Sequence, residues 1–211
     1  MPLTSKIEEK DHLVCVWELN ETENDLLEIV TNQKIPYLHL VQNVNLTQKR
    51  RERLAALICI NKALGENAYY EIGENGKPFL KNLNQHISIS NTGGKVAVLF
   101  SKHNCGIDYQ KKTGQLVRIL NKFANENEQK IIANFDTPID LIHWIWCSKE
   151  AIYKKHNKKG LSLKHDMKLK EITTLKEKIN LTFEVNLEGR ILEEKTDCTL
   201  LQEFYMTYTC N

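Results

Sequence analysis

"WCSKEAIYKK", Trp146 to Lys155, sets a carboxylate among three lysines, directly behind two tryptophans and a cysteine. In a helix, residues three and four apart share a face, so Glu150 lies beside Trp146, Cys147, Tyr153 and Lys154. A carboxylate so placed can take up a proton or face a cation. It can equally form an ordinary i,i+4 pair with Lys154 on a wet face, worth only about 0.2–0.5 kcal/mol. A second acid, Asp108 in "GIDYQ", stands 42 residues upstream at the end of an expected strand. Glycine and aspartate there could simply close the strand with a turn. Neither segment alone decides anything.

Thr137-Pro138-Ile139-Asp140 starts the helix that must carry Glu150, with Thr137 as N-cap, Pro138 first in the helix and Asp140 in the first turn. It should run to about Lys155. A short strand should end in Cys105-Gly106-Ile107-Asp108, and Leu116, Ile119, Leu120 and Phe123 mark another amphipathic helix. Leu181, Phe183, Val185 and Leu187 alternate as a half-buried strand, Glu188-Gly189-Arg190 turns the chain, and Phe204, Met206 and Tyr208 alternate again. Earlier, Leu13 to Leu19 reads as a strand and Thr47 to Leu64 as a helix, capped by Thr47 and stopped by Gly65. Ile87 to Ser90 and Val96 to Phe100 form a hairpin around Asn91-Thr92-Gly93-Gly94. Each half therefore reads as a helix with a small antiparallel sheet, divided within Ser101 to Asn104.

The 211 residues, 41% hydrophobic, suffice for a core. Lys and Arg number 29 against 27 Asp and Glu, too balanced for a nucleic-acid binder, so any anion site is local. The charged N-terminus lacks a signal peptide's apolar core, and no apolar run is long enough to cross a bilayer. This reads as a soluble cytoplasmic protein without a membrane or nucleic-acid partner. The six cysteines show neither CxxC pairs nor a compact disulfide pattern; they read as reduced, mostly buried small hydrophobes, and structural zinc is not expected.

"GIDYQ" followed by "WCSKEAIYK" resembles the 4'-phosphopantetheinyl transferases, in which a G-[IV]-D segment precedes a W-x-x-K-E-A-x-x-K helix. "GKPFL" (Gly76 to Leu80), "ISISNTGG" (Ile87 to Gly94) and "KFANENE" (Lys122 to Glu128) follow the family's order. The length is similar to the larger, monomeric type that activates surfactin synthetase. The resemblance implies an α+β fold of two pseudo-twofold-related halves, each a small antiparallel sheet, expected as three strands, packed on a long helix. Residues 1–103 would hold the coenzyme A 3'-phosphate side, and residues 104–211 the metal and catalytic motifs. It implies metal-dependent transfer of phosphopantetheine from coenzyme A to a serine of an acidic apo carrier protein, releasing adenosine 3',5'-bisphosphate.

On that resemblance Asp108 and Glu150 hold Mg²⁺, or Mn²⁺, with Gln110 nearby. Glu150 takes the serine proton. Lys154 and Lys149 face the diphosphate. Lys77, Pro78 and Arg50 or Arg51 meet the nucleotide end, with Ser90, Asn91 and Thr92 cradling phosphate oxygens. Two positions depart from the family: Gln110 stands where many relatives have an acid, and Asn91 where histidine is usual. They support an alternative, a non-catalytic paralogue that binds coenzyme A or carrier proteins. His143 reads as packing rather than ligand. The run Lys154 to Gly160 reads as a solvated helix end, with a second use in docking an acidic carrier.

Overall fold

The computed structural model describes residues 3–65, 67–175 and 178–210, so Met1 and Pro2 of the charged N-terminus lie outside it. The chain divides into two compact units, Met1–Asn104 and Cys105–Asn211.

The first unit contains β1 (Leu3–Glu9), β2 (His12–Glu18), α1 (Glu23–Asn32), α2 (Leu38–Val41), α3 (Thr47–Leu64), β3 (Tyr70–Ile72), β4 (Pro78–Leu80), β5 (His86–Thr92) and β6 (Lys95–Ser101). Its main sheet is antiparallel, in the order β1-β2-β6-β5, and β3 and β4 form a separate hairpin. β5 and β6 are joined through Gly93 and Gly94 at φ 53° and 75°. Two successive positive φ values suit a two-residue hairpin turn and favour glycine. Asn91 and Thr92 are therefore the last residues of β5, not part of the turn. α3 packs on β2 and β6 and against α1 and α2, so Leu54 to Asn61 are buried in succession. Its first turn differs from expectation: the cap position is Leu46, without a side-chain cap. Thr47 lies inside the helix, where its hydroxyl accepts from Arg50 at 3.3 Å.

The second unit contains β7 (Gly106–Lys111), α4 (Gln115–Arg118), α5 (Leu120–Phe123), α6 (Glu126–Ala133), α7 (Pro138–His156), β8 (Met167–Leu175), β9 (Lys178–Leu187), β10 (Arg190–Leu201) and β11 (Phe204–Thr209). The strands form one antiparallel sheet in the order β7-β11-β10-β9-β8. The main sheets are thus four- and five-stranded rather than three-stranded. β7 begins at Gly106 and continues past Asp108 instead of ending there. The helix expected from Leu116 to Phe123 is broken at Ile119, whose φ of −108° and ψ of 11° leave two single turns. Five of the six cysteines are buried, all six are free, and no helix among the described residues is long and apolar enough to cross a membrane.

α7 lies on β7, β11 and β10. Its approach to β7 is close enough that a Cβ on Gly106 would sit 1.9 Å from the Ala151 carbonyl oxygen and 2.8 Å from Lys155 N. Both obstacles are backbone, so a side chain at 106 must push the helix off the strand. Gly106→Ala is expected to cost about 3 kcal/mol or more, whereas Gly114→Ala, with nothing within 4 Å, should cost little. Equal denaturant midpoints for the two variants would contradict this packing.

Candidate active site

Alternation along β7 turns Gly106, Asp108 and Gln110 to the helix and Ile107 and Tyr109 away from it. Contacts then run in opposite directions along the two elements. Gly106 meets Ala151 and Lys155, Asp108 meets Lys154, and Thr113 N–H donates to His143 Nε2 at 3.0 Å. The spacing that brings Asp108 to Glu150 is therefore a strand and a helix laid antiparallel.

Asp108 is buried, at 7% exposure. Lys154 Nζ donates to its Oδ1 at 2.6 Å and to the Ile107 carbonyl at 3.0 Å. Glu150, one turn before Lys154, has its carboxyl pushed above the usual range, first by burial and next by the negative charge of Asp108, while Lys154 opposes the rise. Cys147 lies against the same aspartate: burial first, then the charge and a hydrogen bond of Asp108, push its thiol well up. Two carboxylates thus feel each other's charge in a partly dry site, with the Lys154 ammonium held on Asp108. Such a site favours an added cation or a proton. Gln110 is two residues along the same strand face, its amide donating to the Lys111 carbonyl at 3.3 Å.

Lys149 corrects an expectation. It is fully buried, its ammonium 2.7 Å from Glu128 and 2.8 Å from the Phe123 carbonyl, so it is committed to the core and does not face a diphosphate. Its partner Glu128, in "KFANENE", forms a capping box with Asn125, an Asn-x-x-Glu spacing that the sequence itself displays. His143 is buried packing: Nδ1 meets the Ile139 carbonyl at 2.7 Å, Nε2 accepts from Thr113, and the ring stacks on Tyr205. The run after Tyr153 is only partly a solvated helix end. Lys155 is buried against Glu194 at 2.7 Å and His156 meets the same carboxylate at 2.7 Å, leaving Lys158 and Lys159 exposed.

In the first unit, a cavity of about 230 Å³ is lined by Lys49, Glu52, Arg53, Pro78 and Asn91, with apolar walls from Tyr70 and Ile89. Pro78 and Asn91 come together as expected; the arginines do not. Arg50 grips Glu23 with two hydrogen bonds and the Val44 carbonyl with a third, and Arg51 donates to the Glu21 and Leu19 carbonyls. Both are committed to the α1 side of the helix. The α3 face toward the cavity is Lys49, Glu52, Arg53 and Ala56, an i, i+3, i+4, i+7 set that the same periodicity could have found. Asn91 Nδ2 donates to Glu52 at 2.6 Å. Ser90 and Thr92 lie on the opposite face of β5 and do not line the cavity. Lys77 Nζ donates to Asn104 at 2.6 Å.

The family model of the 4'-phosphopantetheinyl transferase superfamily matches residues 104–207, the unit that holds both acids. Residues 104–207 thus carry a domain that matches the 4'-phosphopantetheinyl transferase superfamily. A Bacillus subtilis 4'-phosphopantetheinyl transferase, ffp, is 31% identical over 110 residues, which is 51% of this chain and 47% of the relative. The match thus spans about half the length of that curated relative. In the matched unit the two motif acids lie at one strand–helix contact.

The raised carboxyl of Glu150 makes a pH-dependent prediction. A carboxyl whose folded value is raised contributes its full stability below the unfolded value, about 4.3, and loses it as pH rises through the folded value. At pH 8 the ionised Glu150 is therefore a burden, and Glu150→Gln should raise Tm. The gain should shrink toward zero near pH 4. A Tm for Glu150→Gln at or below wild type at pH 8 would refute the crowding of the two carboxylates.

Proposed function

We propose that this chain transfers the phosphopantetheine arm of coenzyme A to a serine hydroxyl of an apo carrier protein. The observation that carries the reading is the meeting of Asp108, Glu150 and Lys154 within the family-matched unit. Among the described residues no group of three or more His, Cys, Asp or Glu side chains gathers as a complete metal cage. Two carboxylates nonetheless fit Mg²⁺, which commonly takes one or two from a protein and fills its octahedron with water and phosphate oxygens. Mn²⁺ suits the same oxygens. Bound there, the ion would neutralise diphosphate charge and polarise the phosphorus.

The serine oxygen attacks the phosphorus next to the pantetheine arm, forming one P–O bond as the bond to the bridging oxygen breaks. Adenosine 3',5'-bisphosphate leaves with that electron pair. Glu150 accepts the serine proton, directly or through water; a carboxyl raised by burial holds a proton more firmly at neutral pH than an ordinary one. Lys154, now on Asp108, is one turn from Glu150 and offsets charge on the departing oxygen. In the first unit, Lys49 and Arg53, rather than Arg50 and Arg51, offer cations to an anionic ligand, with Pro78 as an apolar wall of the cavity. Gln110 contributes a hydrogen bond rather than charge beside the metal. An acidic carrier would be steered by Lys158 and Lys159.

Incubation with coenzyme A, Mg²⁺ and a panel of apo carriers, read by mass spectrometry, should show one phosphopantetheine added per carrier. Asp108→Asn and Glu150→Gln should each slow transfer by about 100-fold or more while keeping the wild-type circular dichroism. Wild-type rates in either variant would refute that residue's role. Coenzyme A binding that is independent of metal, with no transfer to any carrier, would instead favour the binding paralogue that Gln110 and Asn91 suggest.

A further inference from the structure

Lys149 and Glu128 are 0% and 1% exposed, their charged atoms 2.7 Å apart. The Glu128 carboxylate has no spare oxygen. Oε2 accepts from Lys149 and, at 2.8 Å, from Asn125 N–H at the start of α6; Oε1 accepts at 2.9 Å from Leu169 N–H in β8. β8 shifts register between Leu169 and Glu171, so the pairing ladder is interrupted where Leu169 turns its N–H to Glu128. One carboxylate therefore joins α6, α7 and β8.

A buried ion pair is weak evidence for stability, since apolar replacements of similar volume are often as stable or more so. Its geometry is the more informative property. Lys149 precedes Glu150, and successive helical residues point about 100° apart. The ion pair thus holds α7 at the level of Glu150 but on another face. Lys154 and Lys155 hold further faces, to Asp108 and Glu194, one turn later. Glu150, one turn before Lys154, lies on the face of α7 that Lys154 ties to Asp108 on β7. A helix gripped only near its end could roll and let Glu150 move away from Asp108.

We propose that Glu128, through Lys149, is a positioning residue that holds α7 at the rotation keeping the Glu150 carboxylate against Asp108. This rests on reading those two acids as the reaction centre. It predicts coupling between a buried pair that touches no substrate and the strain between the two acids.

A stability cycle at pH 8 tests it without substrate or metal. Glu150→Gln is introduced into the wild type and into a Glu128→Gln/Lys149→Met background, which removes both charges at similar volume. The Tm gain from Glu150→Gln should fall by at least half in that background, because the freed helix has already relaxed. In parallel, Mn²⁺ affinity in the presence of coenzyme A, read by electron paramagnetic resonance, should weaken at least tenfold in the double variant. A folded double variant with an unchanged gain and unchanged Mn²⁺ affinity would overturn the proposal, as would the absence of any gain in the wild type. Should the double variant fail to fold, Glu128→Gln alone, which keeps an oxygen for one backbone N–H, goes through the same cycle. Phosphopantetheine transfer by a wild type that shows no coupling would discard the positioning role and leave the proposed function standing. Coupling without transfer would do the reverse.

Discussion

A helix that carries lysines into a protein core must find an anion for each buried ammonium group, and that requirement organises the second unit. α7 has Lys149 and Lys155 at 0% and 4% exposure, with Lys154 half-buried between them in sequence. Leaving any buried one unpaired would cost several kcal/mol, on the order of 3–5. Each takes a carboxylate from a different element: Glu128 from α6, Asp108 from β7 and Glu194 from β10. Because the partners surround the helix, its rotation is set as well as its position. Glycine at 106 adds the axial contact, since only a residue without a side chain lets β7 approach Ala151 so closely.

The fixed helix makes the crowding of Asp108 and Glu150 a property of the fold. A free pair of carboxylates would turn apart toward water. Here one sits on a strand locked between β11 and the helix, the other on a helix whose rotation is held from three sides. Lys154 offsets only part of the repulsion, as the raised carboxyl of Glu150 indicates. Strain of this kind is common where a protein prepares to receive a cation or a proton. The neutral Gln110 on the same strand face is consistent with it, since a third acid there would add to the repulsion.

The regular elements were legible because their signals are local. The α3 limits, the start of α7, the glycine turn between β5 and β6 and the alternation of β9 all follow from residues within a few positions of one another, whereas β11 is buried on both faces. What escaped depends on partners far along the chain. Leu116 to Phe123 has helical spacing, yet its residues serve the α7 core from two separate turns, and the tertiary contacts override the pattern. β10 is buried in part through Glu194, Thr196 and Cys198, a polar pattern that no apolar alternation marks.

The candidate site divides the same way. Asp108, Glu150 and Lys154 could be paired from sequence through the family resemblance of their two motifs, which the strand–helix contact matches. Lys149 could not be told from Lys154 by type or neighbourhood, although the two differ by five positions and so by more than one turn. Only the location of Glu128, 21 residues earlier in sequence, decides that one lysine belongs to the core and the other to the acids. The arginines of α3 show the complementary case. Arg50 and Arg51 are drawn to Glu23 and to loop carbonyls that need donors, which leaves Lys49 and Arg53 to face the cavity. Which cation faces the cavity is therefore settled by the structural groups that compete for its neighbours.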